Sequence, residues 1–472
     1  MNKRQWLIIY YYCLILSVLV LNTSLASGAE EKISFGRFGA VTVYSAVPHP
    51  SQVVLFISGD GGWNLGVVDM ARTLASLDAL VVGVDIVHYE RELSKSNEKC
   101  SYPAADFELL SKFAQKKFNY KDYITPILVG YSSGATLAYA TIVQAPPTTF
   151  KGAISLGFCP DLPLTKPLCK GSGLLWKTGP KGKGYSFLPA DHLEVPWVAL
   201  QGTIDQVCNP DETRNYVSQV KGGQIIILPK VGHGFAVPKN WLPQFKQAFL
   251  NIAHLPPSQP APPKTATIND LPLIEVPSAT SARDFIAVHI TGDGGWGVTD
   301  RGISETLAAH GIPVVGLNSL KYFWQTKSPE QAAHDLERIL RYYLAEWKKE
   351  RVIIIGYSFG ADVLPFMVSR LPEGYRSKVQ LIVLLGPGQF ADFEFHITDW
   401  LQSSLSRSHF SVTSEIEKLK GKEILCFYGE DDRESLCAEP RHDSFKTIIL
   451  KGGHRIGSNF DSVVQKISEE LN

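Results

Sequence analysis

The chain has 472 residues, 44% of them hydrophobic, 11% aromatic and 19% charged. At roughly 100–200 residues per domain this length suggests two to four domains, and the composition supplies ample core while excluding disorder, collagen and coiled coil. Lys+Arg and Asp+Glu both total 46, so no global basic field exists to hold nucleic acid by its phosphates.

The first 29 residues read as a secretory signal peptide. Lys3 and Arg4 precede an apolar run from Trp6 to Leu21, and small residues follow around Ala26 to Ala29. An uncleaved N-terminal anchor is the alternative, and Cys13 lies inside the run rather than after it, which argues against a lipoprotein site. The mature protein is therefore expected to be exported, and either soluble or attached by one N-terminal helix. Six of the seven cysteines remain, at 100, 159, 169, 208, 426 and 437. An even count in an exported chain reads as disulfides, and the spacings match no zinc pattern. The expected pairs are Cys426–Cys437, Cys159–Cys169 and, by elimination, Cys100–Cys208.

The chain then contains itself twice. Gly59-Asp60-Gly61-Gly62-Trp63 recurs as Gly292-Asp293-Gly294-Gly295-Trp296, an offset of 233 (292 − 59). Thr73-Leu74-Ala75 and Val81-Val82-Gly83 return at the same offset, and Gly130-Tyr131-Ser132-Ser133-Gly134-Ala135 returns as Gly356-Tyr357-Ser358-Phe359-Gly360-Ala361. Between the copies a proline-rich stretch reads as a stiff linker. The expected division is a first domain over 30–255, a linker over 256–277 and a second domain over 278–472. Each copy alternates short apolar runs with amphipathic stretches, the pattern of βαβ units and a parallel sheet. The predicted strands are Val53–Ile57, Leu80–Asp85, Ile127–Val129, Ala153–Leu156, Trp197–Leu200 and Gln224–Leu228 in the first half. In the second they are Phe285–Ile290, Pro313–Leu317, Val352–Ile355, Leu381–Leu385, Ile424–Tyr428 and Lys446–Leu450. Ser328-Pro329-Glu330-Gln331 reads as a capping box opening a helix. The fold class is thus α/β: two tandem α/β-hydrolase-like domains, each a mostly parallel six-stranded sheet flanked by helices.

Both copies carry G-x-S-x-G between a strand and a helix, the setting of a serine nucleophile on a sharp turn. Such a serine needs a base and an orienting acid, in the order Ser, Asp, His. The first half supplies Ser132, Asp205 and His233. The second supplies Ser358, Asp432 and His454, with Asp431 and Glu430 left open as the acid. The Gly-Asp-Gly-Gly-Trp turns follow the first core strand of each half, where glycine lets N–H groups approach a developing oxyanion. Gly61 and Ser133 are the candidate donors in the first half, Gly294 and Phe359 in the second. No phosphate-loop lysine or spaced G-x-G-x-x-G is present, which argues against nucleotide binding, and no cofactor or metal is expected. Asp392 and Glu394, in the acidic and aromatic run Ala391 to Trp400, are candidate ligands for an ammonium group. Trp296 and Tyr322 are further candidate substrate contacts. A solvated helix turn with inward aromatics is the competing reading of the 391–400 run.

On these residues the chain resembles the AcvB/VirJ virulence-protein family, over essentially the whole mature length. The most specific matches are Gly292 to Trp296, Gly356 to Asp362 and Phe390 to Phe395. The resemblance implies a periplasmic protein with two hydrolase-like halves, principal catalysis in the second, and hydrolysis of aminoacylated phosphatidylglycerol such as the lysyl form. It also implies a link to type IV secretion, so the alternatives are a non-catalytic secretion factor or a general esterase or lipase. The expected partners are a lipid at the membrane surface and secretion-system proteins, with no nucleic acid or nucleotide.

Overall fold

The computed structural model describes residues 29–96, 99–146, 149–179, 182–255, 268–278, 283–394, 410–439, 444–454 and 460–471. The expected leader before residue 29, the proline-rich residues 256–267 and the run 395–400 lie outside these. No helix among the described residues is long and apolar enough to cross a membrane.

Eight strands form the first sheet: β1 (Ala29–Phe35), β2 (Gly39–Ser45), β3 (Gln52–Ile57), β4 (Ala79–Val84), β5 (Ile127–Tyr131), β6 (Gly152–Leu156), β7 (His192–Gly202) and β8 (Lys221–Leu228), in the order β1-β2-β4-β3-β5-β6-β7-β8. Seven form the second: β9 (Leu273–Val276), β10 (Phe285–Ile290), β11 (Val314–Leu317), β12 (Arg351–Tyr357), β13 (Val379–Leu385), β14 (Glu423–Gly429) and β15 (Lys446–Leu450), in the order β9-β11-β10-β12-β13-β14-β15. Within each, β3 to β8 and β10 to β15 pair in parallel. Helices flank both sheets, so each half is an α/β-hydrolase-like layer structure.

The expectation of six strands in each main sheet is corrected to eight and seven among the described residues. The extra strands are antiparallel edge elements: β1 pairs with β2, β2 with β4, and β9 with β11. Parallel core strands covered on both faces read as continuous apolar runs, whereas a half-solvated edge carries charge. Three of the first five residues of β1 are charged, Glu30, Glu31 and Lys32, and β9 has only four residues between Pro272 and Pro277. β9 also lies inside the 256–277 stretch that was read as linker. The capping box forms as read: Ser328 Oγ accepts from Gln331 N, and Gln331 reaches back to Ser328 N, opening the helix Pro329–Glu346.

Cys426–Cys437 forms as expected, but the other two pairs are Cys100–Cys169 and Cys159–Cys208 rather than Cys159–Cys169 and Cys100–Cys208. A bridge between Ser101 and Leu168 lays residues 100 and 169 side by side, with Cys169 N donating to Ser101 O at 2.8 Å. Cys159, just after β6, faces Cys208 in the loop after the neighbouring strand β7. Nearness along the chain was the wrong guide; adjacency of strands decided the pairing.

Candidate active sites

β5 runs into the helix Ser133–Gln144, and β12 into the helix Phe359–Ser369, each through one serine. Ser132 has φ +55° and ψ −122°, and Ser358 has φ +50° and ψ −121°. This region costs a non-glycine residue about 1–3 kcal/mol and persists only where the surroundings impose it. Here the serine N–H groups donate to the ends of the adjacent strands, Ser132 to Leu156 O at 2.9 Å and Ser358 to Leu385 O at 2.8 Å. The flanking glycines are required sterically. A Cβ on Gly130 or Gly356 would collide with the carbonyl four residues on, and one on Gly134 or Gly360 would strike the end of the neighbouring strand.

Each serine meets its expected partners. In the first half His233 Nε2 lies 2.9 Å from Ser132 Oγ, and His233 Nδ1 lies 2.9 Å from Asp205 Oδ2. In the second, His454 Nε2 is 2.8 Å from Ser358 Oγ and Nδ1 is 2.8 Å from Asp432 Oδ2. Of the three acids left open, Asp432 alone is buried, while Glu430 and Asp431 are exposed. The first site is the more enclosed: the His233 side chain is 16% exposed and that of His454 50%. Asp205 also accepts from the N–H groups of Val207 and Cys208, both at 2.9 Å, and from Gln201 Nε2 at 3.0 Å. Tyr131 OH donates to the His233 carbonyl at 3.0 Å, fixing the histidine loop. Asp205, Cys208 and His233 bring potential metal-ligating atoms together. Cys208 is spent in its disulfide, however, so the cluster has no thiolate and its other two members already bond each other.

Sequence reasoning missed Gln201 and Tyr131, and two acids besides. Asp362, one turn into its helix, accepts from Gly388 N at 2.6 Å and ties down the loop after β13. Burial pushes its carboxyl well above the usual range, against that bond and with help from Asp293. Thr136 occupies the matching position in the first half and donates to Cys159 O, so both halves staple the same loop from the same helix turn. Glu90 is raised to about 7, first by burial and then by the charge of Asp60. Its Oε1 is buried without a hydrogen-bond partner. Unfolded, Glu90 ionises near pH 4.5; folded, it holds its proton to about 7. Its destabilising effect therefore grows between those values and stays constant above them. Glu90→Gln is expected to raise Tm at pH 8, by about 2–4 °C for a gain of about 1 kcal/mol. The difference from wild type should vanish near pH 4, as differential scanning calorimetry at the two pH values will show.

The Gly-Asp-Gly-Gly-Trp turns close on themselves, with Gly62 N donating to Gly59 O at 2.9 Å and Gly295 N to Gly292 O at 3.0 Å. Gly59 presses on the nucleophile, since a Cβ there would stand 2.9 Å from Ser132 Cβ, while Gly61 faces Asn64 and Gly294 is open. Ser133 and Phe359 are the first residues of their helices, so their N–H groups have no intrahelical acceptor. Ser133 Oγ bonds the Asp60 carboxylate, and the Phe359 ring meets Phe323 edge-on at 5.1 Å. The tryptophans serve packing rather than substrate. Any side chain on Gly83 or Gly316 would overlap Trp63 or Trp296, which explains why Val-Val-Gly repeats along with the turn. Trp296 is 7% exposed, which corrects its expected place at the substrate.

The same correction applies to Tyr322, 4% exposed, whose OH donates to Asp335 at 2.6 Å. Glu394 is engaged as well, paired with Lys116 at 3.4 Å and accepting from Thr326 Oγ1 at 2.5 Å. Asp392 is half-buried and caps the turn through Glu394 N at 3.3 Å. Phe393 is buried among Phe323, Phe366 and Phe410, with ring centres 5.5–5.9 Å apart. An aromatic wall thus runs from Phe359, beside Ser358, to Phe410.

Two α/β-hydrolase-like halves, each with a Ser–His–Asp arrangement at the carboxyl ends of its parallel strands, define the class of protein. A family model described as bacterial virulence protein (VirJ) matches residues 51–155 and 284–472, and the chain belongs to that family. No curated protein matches the chain. Solved structures similar to it include a putative dienelactone hydrolase from Klebsiella pneumoniae subsp. pneumoniae MGH 78578, at 13% identity and TM-score 0.35, covering 48% of this chain and all of that one. Another is XC6422 from Xanthomonas campestris, described as an a/b serine hydrolase without lid, at 18% identity and TM-score 0.31, covering 49% of this chain and 97% of that one. A third is Est1E from Butyrivibrio proteoclasticus with ferulic acid bound, at 12% identity and TM-score 0.32, covering 43% and 94%.

Proposed function

We propose that this chain is a periplasmic serine esterase, with a complete catalytic set in each half. The observation that carries this reading is the hydrogen-bonded Ser–His–Asp chain built twice, on a strained serine each time. Ser358 Oγ attacks the ester carbonyl as His454 Nε2 takes its proton, and Asp432 holds the resulting imidazolium by Nδ1. The oxyanion is received by the Phe359 N–H and the Gly292–Gly295 turn. Collapse expels the alcohol, which takes the proton from His454. Water, activated by the same histidine, then releases the acid and restores Ser358. Ser132, His233 and Asp205 run the same cycle in the first half, with the Ser133 N–H and the Gly59–Gly62 turn.

The substrate proposed within this class is the aminoacyl ester of phosphatidylglycerol, the lysyl form first. Family membership and the half-exposed Asp392, next in sequence to Phe393 of the aromatic wall, support it. A general esterase is the second reading, favoured by the aromatic wall and by the prior engagement of Glu394 with Lys116. Purified protein should be given vesicles containing lysyl-phosphatidylglycerol and, separately, a neutral p-nitrophenyl ester, with free lysine and nitrophenol measured. Lysine release supports the lipid reading, and hydrolysis of the neutral ester alone supports the general one. Failure to turn over either, with neither serine labelled by a fluorophosphonate, would leave a non-catalytic secretion factor.

A further inference from the structure

The helix Pro103–Lys117 of the first half packs against loops at the carboxyl ends of the second half's strands. Lys116 Nζ donates to Trp324 O at 2.7 Å and sits over the Trp324 ring at 4.7 Å. Trp324, 1% exposed, packs on Tyr123 with ring centres 5.2 Å apart and donates from Nε1 to Tyr120 O at 2.9 Å. A second-half residue therefore sits in the first half's core. One turn before Lys116, Lys112 is 2% exposed. Its Nζ pairs with Glu108 Oε1 at 2.9 Å and donates to Asp293 O at 3.3 Å. Asp293 is the second residue of the turn that follows β10, whose first residue, Gly292, abuts Tyr357 just before Ser358.

We propose that Lys112 of the first half is a positioning residue for the second active site, holding the Asp293–Gly294 peptide of its oxyanion turn. The inference rests on the esterase reading of Ser358. A buried ammonium is costly unless its charge and donors are matched. Glu108 supplies the countercharge from the same helix, so the bond across to Asp293 O is not needed for neutrality. Its effect falls on the turn. The peptide unit is planar and trans, so a carbonyl fixed toward Lys112 directs the Gly294 N–H to the opposite side. A charge-assisted bond is about twice as strong as a neutral one, and it polarises the peptide it holds, making that N–H a better donor. The turn's own Gly295 N–Gly292 O bond closes it locally but leaves the intervening peptide free to rotate. Lys112 removes that freedom. The first half, whatever its own turnover, then completes the site of the second.

The test uses the full chain carrying Ser132→Ala, so that only Ser358 turns over, with a soluble neutral ester as probe. Lys112→Met is expected to lower kcat about 10–100-fold, with KM changed less than twofold, because oxyanion stabilisation acts on the transition state. Lys112→Arg should recover most of the rate. Arg301→Ala removes an ion pair between the halves away from the turn, Arg301–Glu194 at 3.7 Å, and is expected to leave kcat unchanged. Wild-type kcat in Lys112→Met overturns the proposal, as does an equal fall in Arg301→Ala, which would point to general loosening of the interface. If Lys112→Met does not fold, Lys112→Gln keeps a donor without the charge. It should then show a partial fall in kcat, and an unchanged value overturns the proposal in the same way. Total loss of hydrolysis in Ser132→Ala before Lys112 is touched instead removes Ser358 as a nucleophile, and this proposal with it.

Discussion

Replacing Ser132 and Ser358 together by alanine is expected to lower kcat for ester hydrolysis by about 10⁶-fold, the scale on which loss of the nucleophile acts in serine hydrolases. Each change deletes one oxygen that meets one histidine and leaves the elbow, its glycines and the strand-end bonds in place. Stability should therefore hold, with Tm within about 2 °C of wild type. The single variants apportion the activity. The family match spans residues 284–472 of the second half, with its full triad, but only residues 51–155 of the first, a stretch containing Ser132 without Asp205 or His233. Ser358→Ala is accordingly expected to remove most activity on the physiological ester. Ser132→Ala should remove the smaller part, read from steady-state rates and from fluorophosphonate labelling of the remaining serine. Wild-type turnover in the double variant would sink the assignment of both serines.

What could be read from the chain followed from how each feature is encoded. All twelve predicted strands form within a few residues of their expected limits, and the central ones were legible because a strand covered on both faces needs an unbroken apolar run such as Ile353-Ile354-Ile355. The triads were legible for a related reason. Ser132, Asp205 and His233 each sit where a strand ends in a glycine-bearing turn, and the second copy repeats the set in the same order. The antiparallel edge strands carry no such run, so β1, which begins where the leader was expected to end, was not picked out as a strand, and β9 fell within the expected linker. The role of Trp296 was hidden because an aromatic beside a glycine turn looks alike whether it faces solvent or fills the space over Gly316. Contacts between the halves leave no periodic trace at all. Lys112 meets Asp293 and Lys116 meets Trp324 across about two hundred residues of chain, and only the folded structure joins them. The pairing of Glu394 was hidden on the same account, since its partner Lys116 belongs to the other half.

Asp432→Asn, tested with Ser132→Ala, is expected to reduce kcat about 10⁴-fold, equivalent to about 5.4 kcal/mol of transition-state stabilisation. The neighbouring variants Asp431→Asn and Glu430→Gln should stay within about threefold of their parent. All three acids follow β14 in sequence, but only Asp432 is buried and directs an oxygen to His454 Nδ1. Its N–H donates to Gly429 O at 2.8 Å, which turns the chain so that residue 432 points inward, while Glu430 N and Asp431 N bond Leu450 O and Gly452 O across to the histidine loop. A carboxylate accepts the Nδ1 proton and leaves Nε2 bare to receive the one from Ser358. An asparagine amide that donates to Nδ1 stabilises the opposite tautomer, with the proton on Nε2, and the base is lost although the geometry survives. The exposed acids touch neither nitrogen, and removing a surface charge shifts the imidazolium only through screened water. Half-exposed His454 gives this experiment its discriminating power. A solvated imidazole oriented by no particular acid would lose little in any of the three variants. A severe loss in Asp431→Asn with Asp432→Asn spared would instead move the orienting role one residue back and require the loop after β14 to turn differently in solution.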